Sequence, residues 1–259
     1  MRTHRRPMQP IRSPRRRSWL ARAAAAVAGI LVRLPASAQA DFARARERLL
    51  AEIDSDMRAT AAGTGRTALS PVVRRAMATV PRERFVPPDL AARAYENRPL
   101  PIGEGQTISQ PFIVALMTEL LDPKPTDVML EVGTGSGYQA AVLAACVKKV
   151  YSIEILAPLA ARARAALDSA GVRNVEARVG DGYRGWPEAA PFDGIVVTAA
   201  PDHVPPALVA QLAPGGRLVI PVGPYLGGQE LLVIRKDADG RAVSRRTIAV
   251  RFVPLTRER

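Results

Sequence analysis

Three groups of residues in this 259-residue chain could do chemistry together. Glu131 precedes Gly133, Gly135 and Gly137, which recur at every second position. Glu154 closes the next apolar run, Val150-Tyr151-Ser152-Ile153, and Asp181 stands between Gly180 and Gly182. Glycines let a ligand lie against the backbone where a Cβ would block it. An acid at the end of the second strand of a doubly wound sheet meets ribose hydroxyls. A carboxylate between glycines can accept from an adenine amino group, although Asp-Gly is also common in plain turns.

The glycine spacing separates this loop from two others. A dinucleotide fingerprint wants G-x-G-x-x-G, but the third glycine here is one place early and Tyr138 stands where glycine is needed. A phosphate-cradling loop needs a Lys after its last glycine, and none follows. The Glu131-x-Gly133-Thr134-Gly135-x-Gly137 form resembles motif I of S-adenosylmethionine-dependent methyltransferases.

The elements that must carry these residues follow from pattern. Val128–Val132 is a short apolar run, and Ala140-Ala141-Val142-Leu143-Ala144-Ala145 opens a helix after the glycines. Strands are expected near 128–132, 150–154, 174–179, 194–198 and 217–221, with helices near 138–146, 157–170 and 204–212. Such alternation predicts a doubly wound α/β fold, its mainly parallel sheet covered on both faces. Glu230–Lys236 and Ser244–Phe252, split by Asp237-Ala238-Asp239-Gly240, predict an antiparallel edge pair. Glu131, Gly133, Glu154, Asp181 and Thr198 all fall at carboxyl ends of strands, where ligands sit in open α/β sheets.

Upstream, Asp41–Ala62 reads as an amphipathic helix with Leu49, Leu50 and Ile53 on one side, ended by Gly63-Thr64-Gly65. Ser70-Pro71 opens a short helix to about Val80. Gly103-Glu104-Gly105-Gln106 is a loop. A helix then starts at Pro111, with Ser109 or a neighbour as its cap. The expected layout is a leader over 1–40 and one domain over 41–259. That domain has a helical part (41–126), a cofactor-binding core (127–223) and C-terminal strands (224–259).

The formal charge of +13 is concentrated at the front. Nine of the 37 basic residues and none of the 24 acidic ones lie in residues 1–40, leaving the rest at +4. That is an ordinary surface, so no nucleic-acid partner is read from it. Arg15-Arg16-Arg17, an apolar stretch over 23–32 and small residues over 36–40 look like a bacterial export signal. The apolar stretch is short for a membrane span. The competing reading is a disordered basic extension or a start codon placed too far upstream.

Absences narrow the chemistry. The single cysteine, Cys146, excludes a disulfide framework and a cysteine zinc site and reads as core filler. His203 is the only histidine after the leader, so neither a Ser/His/Asp triad nor a histidine metal site can be assembled. Methyl transfer to a carboxylate suits such a chain, because the acceptor is already ionised at neutral pH. An N-methylase acting on bases would carry an Asn/Asp-Pro-Pro-aromatic run after the fourth strand, where this chain has Thr198-Ala199-Ala200-Pro201.

Several runs together resemble one family, the protein-L-isoaspartate (D-aspartate) O-methyltransferases. They are Pro81–Pro87, Ala94–Asn97 through Pro99–Gly103, Gly105-Gln106-Thr107-Ile108-Ser109-Gln110-Pro111, motif I, Gly180-Asp181-Gly182, Phe192-Asp193 through Val197–Ala200, Pro214–Gly223 and Val250–Leu255. The resemblance covers roughly residues 70–255, and the Gly-Gln-Thr-Ile-Ser-Gln-Pro run is its most specific part.

The resemblance implies S-adenosylmethionine as cofactor and methyl esterification of the free α-carboxylate of isoaspartyl and D-aspartyl residues in damaged proteins. The ester then closes to a succinimide that hydrolyses partly to normal aspartate. It implies Ser109 as the active-site serine, holding the carboxylate rather than attacking. It places Thr107, Ile108, Gln110, Val253, Pro254 and Leu255 in a peptide cleft. Glu131, Gly133, Thr134, Gly135, Gly137, Glu154, Asp181 and Gly182 would serve the cofactor, with no metal. A monomer in the cytoplasm, where the methyl donor is made, is expected, or a periplasmic protein if the leader exports it. Two other readings stay open: a methyltransferase with another acceptor, and a non-catalytic ligand-binding domain of the cell envelope.

Overall fold

The computed structural model describes residues 36–257. The leader reading falls outside the described residues up to position 35, while residues 36–40 already belong to the first helix, α1 (Ala36–Ala59). This helix starts earlier than its charge pattern suggests and stops before Ala62. The Thr60 hydroxyl bonds back to the Asp56 carbonyl at 2.8 Å, and a separate single turn, α2 (Ala61–Thr64), follows. Leu49, Ile53 and Met57, at four-residue spacing, form the buried face of α1. Among the described residues no helix is long and apolar enough to cross a membrane.

Helix α3 (Pro71–Thr79) has its proline in the first turn, as expected. A short antiparallel hairpin was not anticipated: β1 (Leu100–Gly103) pairs with β2 (Gln106–Ile108). Only its turn, Gly103–Gln106, is marked in the sequence, as a loop, and Pro101 inside the run is a poor strand signal. It pairs because Gly103, Glu104 and Gly105 all take left-handed backbone angles and reverse the chain. Helix α4 (Pro111–Leu121) buries ten of its eleven residues, so it is an internal helix rather than an amphipathic one.

The core runs β3 (Val128–Val132), α5 (Tyr138–Ala144), β4 (Lys149–Glu154), α6 (Ala157–Ser169), β5 (Val175–Val179), β6 (Phe192–Val197), α7 (Pro206–Ala210), β7 (Leu212–Val222), β8 (Gln229–Lys236) and β9 (Ala242–Val250). The expected helix over 204–212 shrinks to α7, bounded by Pro205-Pro206, and β7 starts earlier than 217. Strand order is β5-β4-β3-β6-β7-β8-β9, parallel through β7 and antiparallel at β7–β8 and β8–β9. The expected fold class is the one observed: a mainly parallel α/β sheet with an antiparallel edge pair.

Alternate residues of each central strand feed two apolar layers. Met129, Val150, Val196 and Val219 face the layer built by α1 and α3 to α6. Leu130, Val132, Ile195 and Leu218 face a thinner cover of Trp186, Leu208 and α7. After β5 the chain returns to the other side of β3 to lay down β6. Val132 is level with Ile153 on one side and Val197 on the other. The loops after β3, β4 and β6 therefore meet at one rim, the crevice such a reversal creates.

Candidate active site

The glycine loop fills that rim. Gly133 has φ 97°, and a Cβ there would overlap the Thr198 hydroxyl oxygen. Thr198 in turn donates to the Gly133 carbonyl at 2.5 Å and to the Val132 carbonyl at 3.1 Å, clamping the loop to the end of β6. Gly137 does different work. Its Cβ would press on Leu167 and Ala163 at 3.3 and 3.4 Å, so this glycine lets α5 pack on α6.

The carboxylates diverge in role. Glu154 lines the cleft beside the loop and accepts from the Gly135 N–H at 2.7 Å and the Leu156 N–H at 3.0 Å. Each oxygen retains a lone pair for a further donor. Asp181 accepts from the Tyr183 N–H at 2.9 Å as a cap, while Gly182 beside it lines the cleft. Glu131 departs from the expected direct contact with a cofactor. Its side chain is completely buried on the helix face of β3, where it accepts from Ser152 Oγ of the neighbouring strand. Ser152 also pairs with Thr134 Oγ1 at 2.5 Å. Burial, with the Glu154 charge adding to it, pushes the Glu131 pKa up to about 8 against the pull of the Ser152 bond. Glu131 therefore stands beneath the loop, not in the cleft.

The cleft draws its other wall from two distant segments. Thr107, Ile108 and Ser109 come from β2 and its exit, and Val253, Pro254 and Leu255 follow β9. Backbone bonds hold the second segment: Ala200 N–H to Val253 O at 2.8 Å and Leu255 N–H to Ala200 O at 2.9 Å. Gln229, 2% exposed, clasps both backbone groups of Phe252, accepting at 2.6 Å and donating at 3.1 Å. Arg162 of α6 steadies the hairpin through the Ile102 carbonyl at 3.3 Å.

Of the expected caps of α4, Ser109 or a neighbour, it is the neighbour that holds the position, though without a side-chain bond. The cap position is Gln110, and the acceptor for the Phe112 N–H is Asn97 Oδ1 at 3.1 Å. Among the described residues the Ser109 hydroxyl has no hydrogen-bond partner, and its side chain is half-buried. A second groove, lined by Pro99, Gln110, Ile113 and Ala249–Val253, opens on the outer side. Thr107, Ser109, Thr198 and Val253 line both spaces. Ser109 thus stands where the cleft and the outer groove meet. Arg251 is the one charged residue among those lining the outer groove.

Of the expected site residues, Gly133, Thr134, Gly135, Glu154 and Gly182 share the cleft with Thr107, Ile108, Ser109 and Val253–Leu255. Gln110 faces the outer groove, whereas Glu131, Gly137 and Asp181 line neither space. Tyr138, Gln139, Leu156 and Leu159 line the cleft without having been singled out. Tyr138, Gln139 and Leu156 lie within two positions of Gly137 or Glu154, so proximity along the chain was the available signal; Leu159, one turn into α6, had none. Gln229 carries no such signal. Cys146 is buried just past the end of α5, and burial lifts its thiol pKa to about 12, as core filler requires. His203 is exposed and bonded to its neighbour Asp202 at 2.5 Å.

A model of the family described as protein-L-isoaspartate(D-aspartate) O-methyltransferase matches residues 59–259. The chain is 56% identical over 215 residues to protein-L-isoaspartate O-methyltransferase 2 of Syntrophobacter fumaroxidans, covering 83% of this chain and 87% of that protein. It superposes on a solved protein-L-isoaspartate O-methyltransferase with TM-score 0.69 at 29% identity, over 81% of this chain and 65% of that longer one. A Plasmodium falciparum protein assigned to the same enzyme class, solved with S-adenosyl-L-homocysteine, gives TM-score 0.63 at 25% identity, over 73% of this chain and 92% of that one.

Proposed function

The chain belongs to the protein-L-isoaspartate(D-aspartate) O-methyltransferase family, and we propose how its cleft esterifies the free α-carboxylate of isoaspartyl and D-aspartyl residues in damaged proteins. The observation that carries this reading is the meeting of the two spaces at Ser109. The rim fits S-adenosylmethionine on its own terms. Gly133 and Gly182 line the rim with bare backbone, since a Cβ would run into the Thr198 hydroxyl and the Val132 side chain, and Glu154 presents lone pairs for ribose hydroxyls. Gly135 and Thr134 complete the cradle, and Gly137 sets the helix behind it. Glu131 supports the loop through Ser152 and Thr134, and Asp181 holds Gly182 in place for the adenine end.

When bound, S-adenosylmethionine supplies a methyl group on a positively charged sulfur, which a carboxylate oxygen takes up while the bonding pair returns to sulfur. No proton moves in that exchange, which accounts for a site without a histidine base. The residues have three tasks. Ser109 donates its hydroxyl to one acceptor oxygen and so aims the other. Thr107, Gln110 and Arg251 line the outer groove, the 249–253 backbone borders the peptide there, and Pro254 and Leu255 continue into the cleft. Such contacts read main chain more than side chains and suit substrates of many sequences. Ile108, Val253 and Leu255 exclude water around the reacting oxygen.

In this proposal one domain comprises a helical part over 41–126, a cofactor core over 127–223 and C-terminal strands over 224–259. The enzyme acts as a monomer in the cytoplasm, where its methyl donor is made, and needs no nucleic acid. An intact Met1 or an internal start found by N-terminal sequencing of native protein supports that compartment. Cleavage near residue 40 overturns it. The activity itself is tested with paired peptides, one isoaspartyl and one aspartyl. Base-labile labelled methyl on the isoaspartyl peptide alone is expected. Label on neither peptide turns the assignment to another acceptor.

A further inference from the structure

The run Pro81–Pro87 belongs to the family signature, yet nothing in either space explains it. Its Arg82 is fully buried. Arg82 Nε donates to the Ala94 carbonyl at 2.7 Å, and Nη2 donates to the Ser109 carbonyl at 2.8 Å. The guanidinium carbon lies 4.8 Å from the ring centroid of Tyr138, which lines the cofactor cleft. Nη1 is buried with no partner. Among the described residues no carboxylate pairs with Arg82. Its neighbour Glu83 is taken up by the Tyr95 hydroxyl at 2.6 Å and by Arg46 at 3.8 Å.

A buried guanidinium without a counter-ion is costly, and two carbonyls with one ring face do not neutralise it. Burial draws its pKa down to about 10, which still leaves it charged at neutral pH. A tie between Ala94 and Ser109 would need only a neutral donor. The charge asks for an anion, and the acceptor that Ser109 receives is one.

We propose that Arg82 is a positioning residue whose unpaired charge, anchored on the Ser109 peptide at the junction of the two spaces, draws the acceptor carboxylate to the Ser109 hydroxyl. This rests on the reading of Ser109 given above. The charge itself does not touch the reacting atoms. It works through the Ser109 backbone and through a field that the apolar surroundings leave unscreened.

The test compares two peptides differing only at the isoaspartyl α-carbon: one with its free carboxylate, one with that group as a neutral carboxamide. Their affinities are measured by calorimetry on enzyme saturated with S-adenosyl-L-homocysteine. Wild type is expected to favour the carboxylate at least tenfold, with little change between low and high salt. Arg82→Met should bring the preference to about twofold while leaving S-adenosyl-L-homocysteine affinity within about threefold, and Arg82→Lys should restore most of it. Equal weakening of both peptides in Arg82→Met would reduce Arg82 to a structural tie and overturn the proposal. If Arg82→Met does not fold, the wild type still decides, since no preference, or one abolished by salt, refutes the buried charge. Failure of the isoaspartyl peptide to bind or accept methyl would remove the underlying reading as well. A wild type that accepts methyl but shows no preference for the charged peptide removes only the role of Arg82.

Discussion

At the scale of single residues, the proposed mechanism gives Ser109 the task of aiming and Glu154 the task of holding. Ser109→Ala should lower turnover of an isoaspartyl peptide roughly ten- to hundredfold, since one hydrogen bond to a charged group is lost. Its S-adenosyl-L-homocysteine affinity should stay within about twofold, and calorimetry beside steady-state kinetics checks the split. Glu154→Ala should do the reverse. It should weaken cofactor affinity by at least about tenfold and also loosen the Gly135 and Leu156 N–H groups that the carboxylate satisfies. Unchanged affinity would remove the ribose contact. The sequence marked both positions, Ser109 inside a specific motif and Glu154 at the end of a strand, and the structure brings both to one cleft. It misassigned the position of Glu131 for a physical reason. An acid in an apolar strand looks like a ligand contact, but side-chain alternation turns it toward Ser152 and the helix layer.

At the scale of elements, what matters is how loops are pinned to strand ends. Gly133→Ala forces a side chain onto the Thr198 oxygen at a backbone angle that disfavours it. A stability loss of about 2 kcal/mol or more is expected, together with loss of cofactor binding, by thermal melting and calorimetry. Gln229→Ala leaves both backbone groups of Phe252 without partners among the described residues. The 253–255 segment should loosen, raising KM for the peptide several-fold more than it changes cofactor affinity. If KM is unmoved, that segment does not shape the groove. Strand and helix succession was readable from apolar periodicity. The β1–β2 hairpin was not, because prolines and glycines mask a pairing that depends on three left-handed residues in a row. The Gln229 clasp was invisible for another reason: its partner lies 23 positions away, and no local pattern marks it.

At the scale of the molecule, the sheet order brings separate segments to one rim, and its stability should carry the signature of Glu131. Alternating strands and helices foretold a parallel sheet. They did not show that its second face would be covered so thinly, with α7 reduced to little more than one turn between Pro205-Pro206 and the start of β7. Glu131 has a folded pKa of about 8 against an ordinary value of 4.5. The native state therefore holds a proton that the unfolded chain releases, and its stabilising effect is present below pH 4.5 and lost as pH rises through about 8. The melting temperature should fall across that window by the equivalent of a few kcal/mol, because each tenfold difference in proton affinity between the folded and unfolded chain is worth about 1.4 kcal/mol. Glu131→Gln should flatten the decline, whereas parallel curves for the two proteins would contradict it. Whether all these parts converge on one reacting oxygen is tested most directly by a crystal structure with S-adenosyl-L-homocysteine and an isoaspartyl peptide bound together. The α-carboxylate is expected at hydrogen-bond distance from the Ser109 hydroxyl, about 2.5–3.0 Å, with the cofactor's sulfur facing its other oxygen across the Gly133–Gly135 rim. A peptide seated elsewhere, with Ser109 facing only solvent or cofactor, would contradict it.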